Sequence, residues 1–103
     1  MKIIVEKIAE NPVSLLRRAG YTFQRQEANE MSFVRTFGSS GYPRFHCYTK
    51  VEKYNLVVNF HLDQKKHTYG AETRHHGEYE NDGPVKEEAL RLVKLLGENA
   101  KVV

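Results

Sequence analysis

The sequence predicts an α+β domain in two layers: a helix, a four-stranded antiparallel meander and a second helix, with room for an extra strand at the N-terminus. Three observations predict it. Four stretches between Tyr21 and Leu62 alternate apolar and polar residues, short turn-like segments join them, and a proline-led helical stripe flanks the set on each side. A chain of 103 residues, 40% hydrophobic and 28% charged, has room for one core and reads as a single domain over 1-103. Each strand offers one apolar face, so both helices are expected on that face, with the polar face left open.

The β-branched cluster Ile3-Ile4-Val5 suits a short edge strand, although Ile8 leaves a helical reading open. Helix one is expected over 12–19. Asn11 is its N-cap, Pro12 its first residue and Gly20 its stop, while Arg17 and Arg18 suit the negative end of the helix dipole. Strands follow over 21–26, where Tyr21 and Phe23 alternate with Thr22 and Gln24, and over 31–37, where Met31, Phe33 and Phe37 alternate with Ser32, Val34 and Thr36. Gly38-Ser39-Ser40-Gly41 is a turn into the central hairpin, which Pro43 enters.

That hairpin carries the most informative pattern. Over 44–51, Phe45, Cys47 and Val51 alternate with Arg44, His46, Tyr48 and Lys50, and over 54–62 Leu56, Val58, Phe60 and Leu62 alternate with Asn55, Val57, Asn59 and His61. A turn about Glu52-Lys53 sets Val51 opposite Tyr54, Phe45 opposite Phe60, Cys47 opposite Val58, His46 opposite Asn59 and Arg44 opposite His61. This register matches apolar with apolar, and a one-residue slip would invert it. One face is core, and the other is polar, basic and histidine-bearing.

Regular patterning stops over 63–83, a long loop with His67, Tyr69, Arg74, His75, His76 and Tyr79, within which a short strand near 74–79 is compatible with the residues. Pro84 opens a second helix over 84–96 with the stripe Val85, Ala89, Leu92, Val93 and Leu96. Leu90 and Leu95 fall off that stripe, and Ala100 to Val103 read as a frayed tail.

The formal charge of +3 and a pI near 9.0 permit a polyanionic partner without demanding one. Cys47 is the single cysteine, so it has no intramolecular disulfide partner and reads as a small buried hydrophobe. The apolar run in MKIIVEKIAE is too short for a signal-peptide core, and no stretch suits a membrane span, so no membrane partner and a cytoplasmic location are expected.

Three functional readings follow. The first is nucleic-acid binding, leaning to RNA, by Arg44, His46, Tyr48 and Lys50 on the open face, extended by Lys65, Lys66 and Arg74: cations meet phosphates and rings stack on bases. A solvated strand face has the same composition without any ligand. The second is a divalent-metal or acid–base site. His46 and His61 are diagonal neighbours about 7–8 Å apart on that face. His61, Asp63, His75 and His76 are the candidate metal ligands, and His46, His61 and His76 the candidate catalytic groups of a nuclease-like hydrolase. Established ligand spacings such as HExxH and CxxC are absent from the sequence. The third is a protein-interaction module, a homodimer using an edge strand, the open face and the surplus leucines.

Leu15-Leu16-Arg17-Arg18-Ala19-Gly20-Tyr21, followed by Arg25, a turn and an aromatic strand, resembles the opening of HicA-type mRNA interferase toxins over about the first third of the chain. The resemblance implies a small domain related to the double-stranded-RNA-binding fold. That family's catalytic histidine follows a Gly-Ser pair at the start of the second strand, and here the place reads Asn29-Glu30-Met31-Ser32, so the activity does not carry over. His61-Leu62-Asp63-Gln64-Lys65-Lys66 with His76-Gly77-Glu78-Tyr79 also resembles a signature of small uncharacterised microbial proteins, which implies no biochemical function.

Overall fold

The computed structural model describes residues 1–37, 42–63 and 83–103. Its elements are β1 (Lys2–Val5), α1 (Pro12–Arg18), β2 (Thr22–Glu27), β3 (Glu30–Thr36), β4 (Arg44–Glu52), β5 (Asn55–Asp63), α2 (Gly83–Leu96) and β6 (Ala100–Val102). The strands form one antiparallel sheet in the order β2-β3-β4-β5-β1-β6. Among the described residues this α+β architecture has six strands where alternation alone gives four. The two extra strands are the chain ends. β1 is interior rather than an edge, because β6 pairs along its outer side through Ile3↔Val102, Ile4↔Lys101 and Val5↔Ala100. The expected frayed tail is therefore a strand. Three residues are too few to show a period, and its ladder partner lies almost a hundred positions away.

The helix ends follow from local chemistry. Asn11 Oδ1 accepts a hydrogen bond from the Ser14 amide at 2.9 Å, and Pro12 fills the first position, where no amide donor is needed. Ala19 caps the other end, and Gly20 takes a φ of 93°, which a side chain rarely tolerates. Leu15 and Leu16 of α1 join Val85, Ala89 and Leu92 of α2 in one cluster with Phe33, Phe45, Cys47, Leu56, Val58 and Phe60 of the sheet. All six sheet residues lie on the same side of their strands. Phe33, Leu56, Val58 and Leu92 are fully buried, each contributing about 1.5–3 kcal/mol relative to exposure. A single substitution such as Phe33→Ala would open the middle of this cluster.

The central hairpin corrects the expected register. Glu52 pairs with Asn55, so the turn residues are Lys53 and Tyr54, and every partner moves by two: Phe45 faces Leu62, Cys47 faces Phe60, His46 faces His61 and Arg44 faces Asp63. Lys53 accepts a φ of 59°, and Tyr54 points into solvent at 77% exposure. Asn55, paired with Glu52 next to the turn, accepts the Lys7 amide on Oδ1 at 3.2 Å. A two-residue shift leaves the alternation of faces intact, so hydrophobic matching cannot detect it; the turn decides. The Ala28-Asn29 turn between β2 and β3 likewise uses a non-glycine residue at positive φ, 55° at Ala28.

Candidate functional site

The revised register builds the site. His46 and His61 are directly opposed on neighbouring strands, with ring centroids 5.4 Å apart, and Arg44 and Asp63 form the adjacent pair on the same face. Two positions beyond His46 on β4, Tyr48 packs its ring 4.4 Å from that of His46 and 6.1 Å from that of His61. Alternation puts Arg44, His46 and Tyr48 on one side of β4, and His61 and Asp63 on the same side of β5. A sequence of period two thus collects five polar side chains from two strands on one face.

Asp63 is the hub. Its Oδ1 lies 2.8 Å from His61 Nε2, and its Oδ2 lies 3.4 Å from Arg44 Nε and 3.5 Å from His46 Nδ1. Arg44 is braced from behind, its guanidinium carbon 4.6 Å from the centre of the Tyr42 ring. The Tyr48 hydroxyl sits 3.4 Å from His46 Nδ1. His46 Nε2 is buried and, among the described residues, has no hydrogen-bond partner, in a residue only 8% exposed. If Nδ1 donates to Asp63, Nε2 is a bare lone pair; if Tyr48 donates to Nδ1, Nε2 is an unsatisfied N–H. Either arrangement leaves a buried polar group unpaired, at a cost of about 1–3 kcal/mol.

Burial lowers the His46 pKa from its ordinary value; Asp63 opposes the shift, while His61, Arg44 and Arg25 reinforce it. The neutral imidazole, the form that ligates metals, is thereby favoured. Tyr48 moves the other way, raised chiefly by burial and then by Asp63, so its hydroxyl keeps its proton at neutral pH. One ligating atom each from His46, His61 and Asp63 falls within 4.8 Å of the others. Metal–ligand bonds of about 2.0–2.2 Å place donors about 3–4 Å apart on one ion, so the cluster would need to draw in slightly and open the His61–Asp63 hydrogen bond.

A comparison with protein-family models, curated proteins and solved structures finds no match for this chain. The residues themselves therefore carry the functional argument.

Of the expected metal ligands, His61 and Asp63 are together, and His46, expected beside His61 as a catalytic or nucleic-acid contact, joins them in a group that could hold a metal ion. His75 and His76 lie outside the described residues, as do Lys65, Lys66, Arg74 and nearly all of the 63–83 loop; its first residue ends β5 and its last begins α2. Arg44, His46, Tyr48 and Lys50 share a face as expected, but the cations are partnered: Arg44 with Asp63, and Lys50 with Glu52 at 3.2 Å. Arg25 reaches the site from β2 through its effect on His46 and Tyr48. Periodicity gave no sign of it, because a bulge between Phe23 and Arg25 changes the phase of β2. Tyr42 was also missed, although an aromatic residue two positions before an arginine in Tyr42-Pro43-Arg44 was the available signal. For the homodimer reading, β2 is an edge strand, and Leu90 and Leu95 are exposed. No helix among the described residues is long and apolar enough to cross a membrane.

Proposed function

We propose that this protein is a metal-binding domain whose polar sheet face holds a divalent first-row transition ion through His46, His61 and Asp63. In this reading the helices form one layer and the sheet the other, and the uncovered face is the ligand side. The carrying observation is that one ligating atom each from two imidazoles and a carboxylate falls within 4.8 Å of the others, in a cluster where, among the described residues, the buried His46 Nε2 has no hydrogen-bond partner. Hydrogen bonding leaves that group unfinished. Two histidines and one carboxylate suit zinc, iron or nickel, and three protein ligands leave a position for an exchangeable ligand, as catalytic sites do and closed structural sites do not.

The test is elemental analysis and thermal unfolding of untagged, metal-stripped protein after addition of zinc, nickel or manganese. One ion per chain is expected, and free ion at a hundred times Kd should stabilise the fold by about 2.7 kcal/mol. His46→Gln and His61→Gln should each abolish this. Absence of both a stoichiometric ion and a stability shift would end the proposal.

The nucleic-acid reading retains one supporting observation, the shared face of Arg44, His46, Tyr48 and Lys50. Binding of short RNA or DNA by metal-free protein at low salt, lost in Arg44→Ala and Tyr48→Ala, would favour the polymer over the ion.

A further inference from the structure

We infer that the same site takes a dianionic oxyanion of the phosphate class as a second ligand, held between the bound ion and Arg44. The inference rests on the metal reading above and adds the identity of the outer ligand. Charge balance is the first argument. Two neutral imidazoles and the Asp63 carboxylate neutralise only half of a divalent ion, and Arg44, 3.4 Å from the same carboxylate, adds another positive charge. Two positive charges are then uncompensated. Among the described residues in ionic or hydrogen-bond contact with His46, His61 and Arg44, Asp63 is the one carboxylate. A dianion restores neutrality, whereas a second cation or a neutral ligand does not.

Geometry is the second argument. Among the described residues the Arg44 guanidinium makes one hydrogen bond, from Nε to Asp63 Oδ2. The remaining N–H groups of its fork are available to an acceptor, and the planar fork matches the paired oxygens of phosphate. Stacking on Tyr42 fixes the plane before any ligand arrives, so less side-chain freedom is lost on binding. The Tyr48 hydroxyl, 3.4 Å from His46 Nδ1, adds a neutral donor on the other flank. The groove beyond Tyr48 is a poorer anion site, because Glu27 and Glu30 line it and Glu27 already faces Arg25 at 3.6 Å.

The experiment is calorimetric titration of inorganic phosphate into the zinc-loaded full chain, with acetate as the carboxylate arm. One phosphate per chain is expected, with acetate at least tenfold weaker; acetate equal to phosphate would overturn the dianion assignment. Arg44→Gln should weaken phosphate at least tenfold while zinc stoichiometry stays at one, and Arg44→Lys should lose part of the affinity. Wild-type protein supplies a second measurement independent of any variant: phosphate should bind at least tenfold more weakly to the metal-free chain, and zinc correspondingly more weakly without phosphate. Phosphate binding that ignores Arg44→Gln, or is equal with and without zinc, overturns the inference, as does a zinc-loaded chain that takes no phosphate. Zinc uptake without phosphate leaves the metal reading standing, whereas failure to take up zinc removes both.

Discussion

Two charged clusters occupy opposite sides of this sheet, and they differ in how completely they are satisfied. On the helix side, Glu88 of α2 is 3% exposed and receives Tyr21 Oη at 2.7 Å, Arg91 on both oxygens at 2.8 Å and Arg35 at 3.3 Å. Arg91 also donates to the Ala19 carbonyl at 2.7 Å, tying α2 to the end of α1. On the other side, Asp63 serves His46 and Arg44 at 3.4–3.5 Å, and among the described residues one imidazole nitrogen has no partner. Both clusters mix acids, bases and a tyrosine. Four hydrogen bonds fill the Glu88 carboxylate within the fold, the pattern of a structural cluster, whereas the Asp63 cluster keeps the unsatisfied nitrogen on which the metal proposal rests.

The contrast is broken most directly at Glu88. Glu88→Ala leaves Arg35, Arg91 and Tyr21 without their shared acceptor and should destabilise the protein by about 3–5 kcal/mol in urea unfolding, the range for removing one member of a buried ion pair. Zinc binding by whatever fraction remains folded should be unchanged. A loss below about 1 kcal/mol would show that this cluster is not the clamp. Tyr21→Phe should follow at about 1.5–3 kcal/mol, the range for a hydrogen bond to a charged group. Burial raises the Tyr21 pKa, with Glu88 adding to the effect, so it remains a donor throughout the accessible pH range.

The Asp63 cluster should answer differently. His46→Leu removes the orphaned nitrogen, which relieves about 1–3 kcal/mol, but also removes the Nδ1 contacts to Asp63 and Tyr48, each worth about 0.5–1.5 kcal/mol, so metal-free stability should change by less than about 1 kcal/mol. All stabilisation by zinc should vanish in this variant. A large loss of metal-free stability would place His46 with the structural cluster instead.

The pH response sharpens the same contrast. His46 has a depressed pKa in the fold, so the unfolded chain binds its proton first as pH falls. The stability this contributes is present above the unfolded value of about 6.5 and is lost as pH drops through the lower folded value. Urea midpoints of metal-free protein should therefore fall more steeply below pH 6.5 for wild type than for His46→Leu; equal slopes would contradict the shift. The smallest effect concerns Cys47, whose thiol pKa is raised by burial and then by Glu88. An alkylating reagent should leave it unmodified in the native state and label it on unfolding.

Much of this arrangement was legible in the sequence, for identifiable reasons. Asn11, Pro12 and Gly20 act through local backbone chemistry, so α1 could be read directly. The facing of Phe45, Cys47, Val58 and Phe60 followed from strict alternation. The pairing of His46 with His61 was not legible, because it depends on Lys53 accepting a left-handed backbone, a choice that hydrophobic pattern does not encode. The proposed metal set was partly legible for the same reason. His61 and Asp63 are two apart on one strand and must share a face, whereas His46 joins them only once the register is known. Long-range pairing of the two chain ends left no local trace at all.

The central claim, that the unsaturated cluster holds a divalent ion, is tested most directly by histidine side-chain NMR of the full chain titrated with zinc. The account predicts that the ring nitrogens of His46 and His61 shift together and stop changing at one ion per chain. Rings of His46 and His61 that stay unshifted while zinc binds elsewhere, or while it does not bind at all, would contradict it.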